Sequence, residues 1–259
     1  FEEAQRDQPN GFTADPDVFD TWATSSLTPL LATGWLDDRD LFEKVYPMDL
    51  RPQGHDIIRT WLFSTVVRSH LLTDSLPWKG ASINGWILDP DRKKMSKSKG
   101  NVVTPIDLLE KYGSDGVRYW AARARQGADT AFEEGQMKIG RRLAIKILNA
   151  SKFALGFGEV ASDPEGTLPA DPTAVTEPLD RAMLASLASV VDQASAAMAK
   201  LDYARAIEVI EPFFWTFCDD YIELVKNRAH GAAGEGPAAS ARAALQIALE
   251  TLLRLFAPY

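Results

Sequence analysis

Lys93-Lys94-Met95-Ser96-Lys97-Ser98-Lys99-Gly100-Asn101, KKMSKSKGN in one-letter code, places four lysines within seven residues. Met95 is the only apolar residue in the run, and small hydroxyl residues (Ser96, Ser98) alternate with the lysines before Gly100 closes it. A backbone of this kind bends closely around a ligand and brings several ammonium groups onto one polyphosphate. Such a site acts by electrostatic stabilisation of charge on transferring phosphates. Lysine-serine runs are more often solvated basic turns or targeting segments. What sets this run apart is its place, directly after the apolar, strand-like Ala81–Leu88 (ASINGWIL), and its Gly-Asn ending.

Working outward, Asp56–Leu72 carries a period of 3.6 residues, with Ile57, Trp61, Phe63, Val66, Val67 and Leu71 on one broad apolar face. Asp56 suits the N-cap or first turn. Residues 46–53 (YPMDLRPQ) read as a strand bounded by turn signals. Strand, helix and strand in this order make one crossover unit of a parallel sheet. Residues 1–18 are polar and broken by Pro9, Gly11 and Pro16, and Thr21–Leu31 reads as a short helix. Downstream, Thr104 is expected to cap a helix with Pro105 at its first position and Asp107 in its first turn. Gly113 stops that helix and another runs to about Gln126. From Glu134 on only helices are expected, at 134–155, 178–200, 201–229 and 238–256. Pro212 should kink or split the third. Stretches 156–177 and 231–237 read as loops. The fold class is therefore α/β followed by all-α.

The chain has 259 residues, 46% of them apolar, enough for about two domains with real cores. It contains no run of 18 uninterrupted apolar residues, so no membrane partner is expected. The start, FEEAQRDQPN, has neither the basic nor the apolar region of a secretory signal, and lacks an initiator Met. One cysteine, Cys218, excludes an internal disulfide and suits a reducing, cytoplasmic setting. Its aromatic neighbours point to a buried thiol. One cysteine and three histidines offer no cluster for structural zinc. A net charge of −8 argues against indiscriminate nucleic-acid binding but leaves local basic patches such as 92–99.

Three segments in order carry a family resemblance: Asp17-Val18-Phe19-Asp20-Thr21-Trp22 continuing to Ser25-Ser26-Leu27; Gly54-His55-Asp56-Ile57-Ile58-Arg59-Thr60-Trp61; and the lysine loop 94–101. Together they resemble the valyl-tRNA synthetases, a family of class I aminoacyl-tRNA synthetases. Asn149-Ala150-Ser151-Lys152-Phe153 and Phe217–Glu223 resemble that family's anticodon-binding bundle. The resemblance implies the second part of a Rossmann-like catalytic domain at 1–103, a connecting stem-contact region at 104–133 and an anticodon-binding domain at 134–259. It also implies a fragment. The family's other ATP signature, HIGH, is not found, since His55, His70 and His230 lack matching neighbours, and the editing insertion would precede residue 1.

The implied chemistry is activation of valine by Mg-ATP to valyl-adenylate, then transfer to tRNA(Val). Lys94 and Lys97 would stabilise the pyrophosphate leaving group, with Met95, Ser96 and Ser98 shaping the loop. Gly54 and Asp56 would meet the ribose; Gly85, Trp86 and Ile87 would lie against adenine. Trp22 and Ile57 would line the amino-acid pocket. Arg141, Arg142 and Lys146 are candidates for tRNA contact. Asp17 and Asp20 read as turn and capping residues, and Phe213, Phe214, Trp215, Phe217 and Tyr221 as bundle core. Two alternatives stay open: an isoleucyl or leucyl enzyme, and a non-catalytic module that binds tRNA or a protein partner.

Overall fold

A computed structural model describes residues 2–157 and 170–259. It divides into two compact units, one ending at Trp86 and the other starting at Ile87. The expected loop 156–177 lies in part outside the described residues.

The first unit holds three short helices, α1 (Trp22–Ser25), α2 (Thr28–Ala32) and α3 (Arg39–Val45), then strand β1 (Met48–Gly54), helix α4 (Phe63–Thr73) and strand β2 (Trp78–Asn84). Helix α3 had no counterpart in the sequence reading. Its signal was Asp38, whose carboxylate accepts from the Leu41 N–H at 3.0 Å. The strands pair in parallel from Met48↔Trp78 to Gly54↔Asn84, as the crossover pattern required. Trp61 is the hub. Its ring stacks on Trp78 (5.6 Å, 7°), the Arg51 guanidinium lies 3.8 Å above it, and its Nε1 donates to the Ser25 carbonyl at 2.9 Å.

The crossover differs from its expectation in two ways. Asp56–Leu72 is not one regular helix: a 3-10 turn at His55–Ile57 and a π turn at Ile58–Leu62 precede α4. The buried row is Trp61, Thr65 and Ser69, while Phe63, Val67 and Leu71 are exposed. Two residues along a helix turn it by about 200°, so the rows starting at 61 and 63 face nearly opposite ways. Only one can face the sheet, and the Trp61 stack decides which. Of the two hydroxyls on the inner row, that of Thr65 donates to the Trp61 carbonyl, while the Ser69 hydroxyl is buried without a hydrogen-bond partner among the described residues.

The single strand expected at Ala81–Leu88 is broken at Gly85 and Trp86. Its last two residues form β3 (Ile87–Leu88), which pairs in parallel with β4 (Thr130–Ala131), a strand too short to announce itself in sequence. The second unit continues through α5 (Pro105–Ala122) and α6 (Glu134–Leu155). Gly113 breaks α5 with a φ of +76°, as expected, and Thr104 occupies the N-cap position without making a side-chain capping bond. Helices α5 and α6 approach closely because Gly140 has no side chain: a Cβ there would stand 2.5 Å from the Tyr119 Cβ. Leu108, Tyr112, Trp120 and Met137 form a small core between them.

A larger core lies among α7 (Pro178–Ala199), α8 (Tyr203–Thr216), α9 (Ile222–Ala229) and α10 (Glu235–Phe256). Helix α7 is long and apolar enough to cross a membrane by composition, yet its Met183, Leu187 and Val190 are buried in this bundle. Pro212 lies inside α8 without splitting it. Buried Ile210, Phe214 and Phe217 hold the helix across the missing N–H, and the irregularity comes later as a π turn at Phe217–Tyr221. Cys218 is buried in the bundle, and burial raises its thiol pKa to about 12, as expected of a structural cysteine.

Candidate active site

In the first unit, the candidate residues gather where β1 and β2 end. Parallel pairing puts Gly54 beside Asn84, so both strands release their chains at one edge of the sheet. Ligands in parallel α/β folds bind at such carboxyl ends. From β1 the chain turns into His55, Asp56 and Ile57; from β2 it continues into Gly85 and Trp86. His55 joins the two exits: its ring lies 4.6 Å from that of Trp86, and its Nδ1 is 3.3 Å from the Asn84 carbonyl. Asp56 is exposed and folds back over Gly54, where a Cβ would stand 2.7 Å from the Asp56 Oδ1. The glycine thus leaves room for the carboxylate as well as for any ligand. Of the two places expected for Asp56, the structure shows the first turn, since the N-cap position of the 3-10 turn belongs to Gly54. Ile57 is half-buried with a φ of −107° and ψ of 13°. Trp22, also half-buried, opens α1, where its backbone N–H donates to Asp20 Oδ1 at 3.0 Å. Asp20 is therefore a turn residue, one of the two roles read from sequence, and the N-cap position of α1 belongs to Thr21.

In the second unit, the lysine loop folds back on β3. Lys94 bridges antiparallel to Leu88, and Lys97–Lys99 make one 3-10 turn. Gly100 ends that turn at a φ of +66° while donating to the Lys97 carbonyl at 3.2 Å, a geometry that favours glycine. The side chains of Lys94, Lys97, Ser98 and Lys99 are exposed, and Met95 and Ser96 are half-buried. The loop can present ammonium groups outward because its backbone is tied inward.

Two residues tie it: Asp89, missed in the sequence, and Asn101, quoted there as the end of the motif but given no role. Asp89, 7% exposed, accepts the Lys93 N–H on Oδ1 at 2.7 Å and the Asn101 Nδ2 on Oδ2 at 2.8 Å. Asn101 accepts the Ser96 N–H at 2.9 Å and reaches the Lys94 carbonyl at 3.3 Å. The hydrogen bonds from Lys93 and Asn101 hold the Asp89 carboxyl below the usual aspartate range. The local signal was Asp89-Pro90-Asp91-Arg92, a turn sequence in which the first aspartate bonds its own backbone.

Of the three basic residues proposed for tRNA contact on α6, two already have partners within the second unit. Arg141 donates to the Lys111 carbonyl at 2.8 Å, and Lys146 pairs with Asp219 at 2.7 Å beside the Trp215 ring. Arg142 is exposed. The five aromatics from Phe213 to Tyr221 belong to the bundle core.

The chain is 69% identical to the valine–tRNA ligase of Thermobifida fusca (strain YX) and 65% identical to that of Salinispora tropica, over all of its own length but 29% of theirs. It spans about 30% of the length of such relatives. Among solved structures, it resembles an Agrobacterium radiobacter K84 LeuRS in a ternary complex with tRNA and LeuAMS (TM-score 0.74, 20% identity, 96% of this chain and 32% of that one). It also resembles Mycobacterium tuberculosis methionyl-tRNA synthetase bound by methionyl-adenylate (TM-score 0.68, 22% identity, 92% and 47%). At those identities the likeness speaks for the fold. The model of the anticodon-binding domain of tRNA ligases matches residues 180–259. Residues 2–133 match the family model of tRNA synthetases class I (I, L, M and V), and the chain belongs to that family.

Proposed function

We propose that this chain is part of a valine–tRNA ligase, and that the whole enzyme activates valine with ATP to valyl-adenylate and then transfers it to tRNA(Val). The observation that carries the reading is 69% identity to a valine–tRNA ligase across the entire chain, with the lysine loop folded so that its ammonium groups face out. Mg2+ enters as the counter-ion of substrate ATP, and the setting is the cytoplasm. The division at 103/104 and 133/134 into catalytic part, stem-contact region and anticodon-binding domain belongs to the same proposal.

Each residue then has a task. Lys94 and Lys97 meet the phosphates as charge builds on the pyrophosphate, and Met95, Ser96 and Ser98 form the backbone that carries them. Gly54 and Asp56 receive the ribose, whose hydroxyls donate to the carboxylate. Gly85, Trp86 and Ile87 lie along adenine, with His55 supporting Trp86. Trp22 and Ile57 bound the amino-acid pocket. An apolar wall of this kind excludes a larger side chain by one or two methylenes, worth roughly 10–200-fold. Arg142, with Arg141 and Lys146 beside it, offers charge to the tRNA backbone. No general base is needed, since attack of valine on the α-phosphate is driven by positioning and electrostatics.

Amino-acid-dependent pyrophosphate exchange by the full-length enzyme tests the reading. Valine should support exchange, with isoleucine and leucine at least about tenfold weaker. Exchange dependent on isoleucine or leucine instead would assign a sister enzyme, and none with any amino acid would leave a non-catalytic module.

A further inference from the structure

Asp89 and Asn101 stand 12 residues apart, one before the lysine loop and one after it, and join across it. Asp89 is a charged residue in a buried place, and both its oxygens serve the loop, through the Lys93 N–H and the Asn101 amide. Asn101 spends its own oxygen on the Ser96 N–H and shares its amide with the Lys94 carbonyl. These bonds fix the backbone at 93, 94 and 96, the residues that carry Lys94 and lead into the Lys97 turn. A buried carboxylate is costly unless hydrogen-bonded, and this one is bonded almost wholly to the loop it organises.

We propose that Asp89 and Asn101 are a positioning pair, whose mutual hydrogen bond closes the lysine loop into the shape that presents Lys94 and Lys97 to the phosphates of ATP. Neither touches the reacting atoms. The pair acts through the backbone, so its loss leaves both lysines present but misplaced. A misplacement of about 1 Å at a reacting centre costs on the order of 100-fold. The proposal rests on reading the chain as the ATP-handling part of a valine–tRNA ligase.

The test uses the full-length enzyme with Asn101→Ala, Asp89→Asn, and the exchange double variant Asp89→Asn/Asn101→Asp. In the double variant the amide introduced at position 89 donates to the carboxylate introduced at 101. The oxygen at 89 still accepts the Lys93 N–H, and the second oxygen at 101 still accepts the Ser96 N–H. Each single variant should slow adenylate formation on the order of 10–100-fold with the KM for valine nearly unchanged. Each should also hasten trypsin cleavage after Lys94, Lys97 and Lys99, read by mass spectrometry. The double variant should recover both properties in part, since a carboxylate at 101 cannot donate to the Lys94 carbonyl. Wild-type rates in the single variants, or no recovery in the double, would overturn the pairing. If the wild-type enzyme shows no valine-dependent exchange, the functional reading fails, and the trypsin arm still judges the pair: cleavage of Asn101→Ala no faster than wild type sinks it.

Discussion

Lys97 sits in the 3-10 turn that Gly100 closes, with its side chain exposed. If it stabilises the leaving group, its contact forms late, as charge develops. Lys97→Ala should then slow adenylate formation by about 2.7–4 kcal/mol of barrier, the scale of one lost donor to a developing charge. Valine affinity should hold. Single-turnover kinetics showing normal activation and weakened valine binding would remove Lys97 from this role. At this scale the lysines were legible because their chemistry lies in contiguous residues. Asp89 was not, and Asn101 was legible only as the end of the motif, because their pairing exists only once the fold brings the two together. Cys218 was legible as a buried thiol from its aromatic neighbours, and it is one.

Among the elements, periodicity and capping placed α6 on the expected 134–155 and α7 within a residue of its expected bounds, whereas α10 begins at Glu235, inside the expected loop 231–237. The sequence did not show what locks the bundle. Asp180 near the start of α7 is fully buried, yet it accepts from Tyr221 at the π turn, from Arg228 on α9 and from Ser240 on α10. Burial alone would raise its pKa, but the bonds from Arg228, Ser240 and Tyr221 outweigh burial and hold the carboxyl below its ordinary value. Asp180→Ala strands the mostly buried Arg228 and should cost about 3–5 kcal/mol. Because the folded pKa is depressed, the stability Asp180 contributes is present above the unfolded aspartate value, near 3.9, and is lost as pH falls through the lower folded value. Wild type should therefore exceed Asp180→Ala by its full margin at neutral pH and converge on it in acid. Urea unfolding of both proteins across that range measures the margin; a gap independent of pH would mean that lost packing, not charge, explains the cost.

For the whole molecule, the chain corresponds to 29% of the length of its valine–tRNA ligase relatives. It carries the lysine loop and the strand exits but no HIGH sequence. If the lysine loop meets the phosphates as proposed, contacts from that signature alone would leave the transition state half supported. The 259-residue chain by itself is therefore expected to give no valine-dependent pyrophosphate exchange. Turnover at the rate of the full-length enzyme would show that these residues hold a complete site.

The sequence by itself determined the order of architecture, α/β then helical, the position of most helices, the parallel crossover and the lysine loop. All of these are written in neighbours along the chain: period, caps, glycines and a contiguous motif. The tertiary structure decided the rest. It chose which row of α4 faces inward through the Trp61–Trp78 stack, and it carried α8 through Pro212 on buried aromatics. It also broke the strand at Gly85 and Trp86 and joined Asp89 to Asn101. Each of these depends on a partner distant in sequence, and the energy of such a contact exists only once the fold has brought the two together.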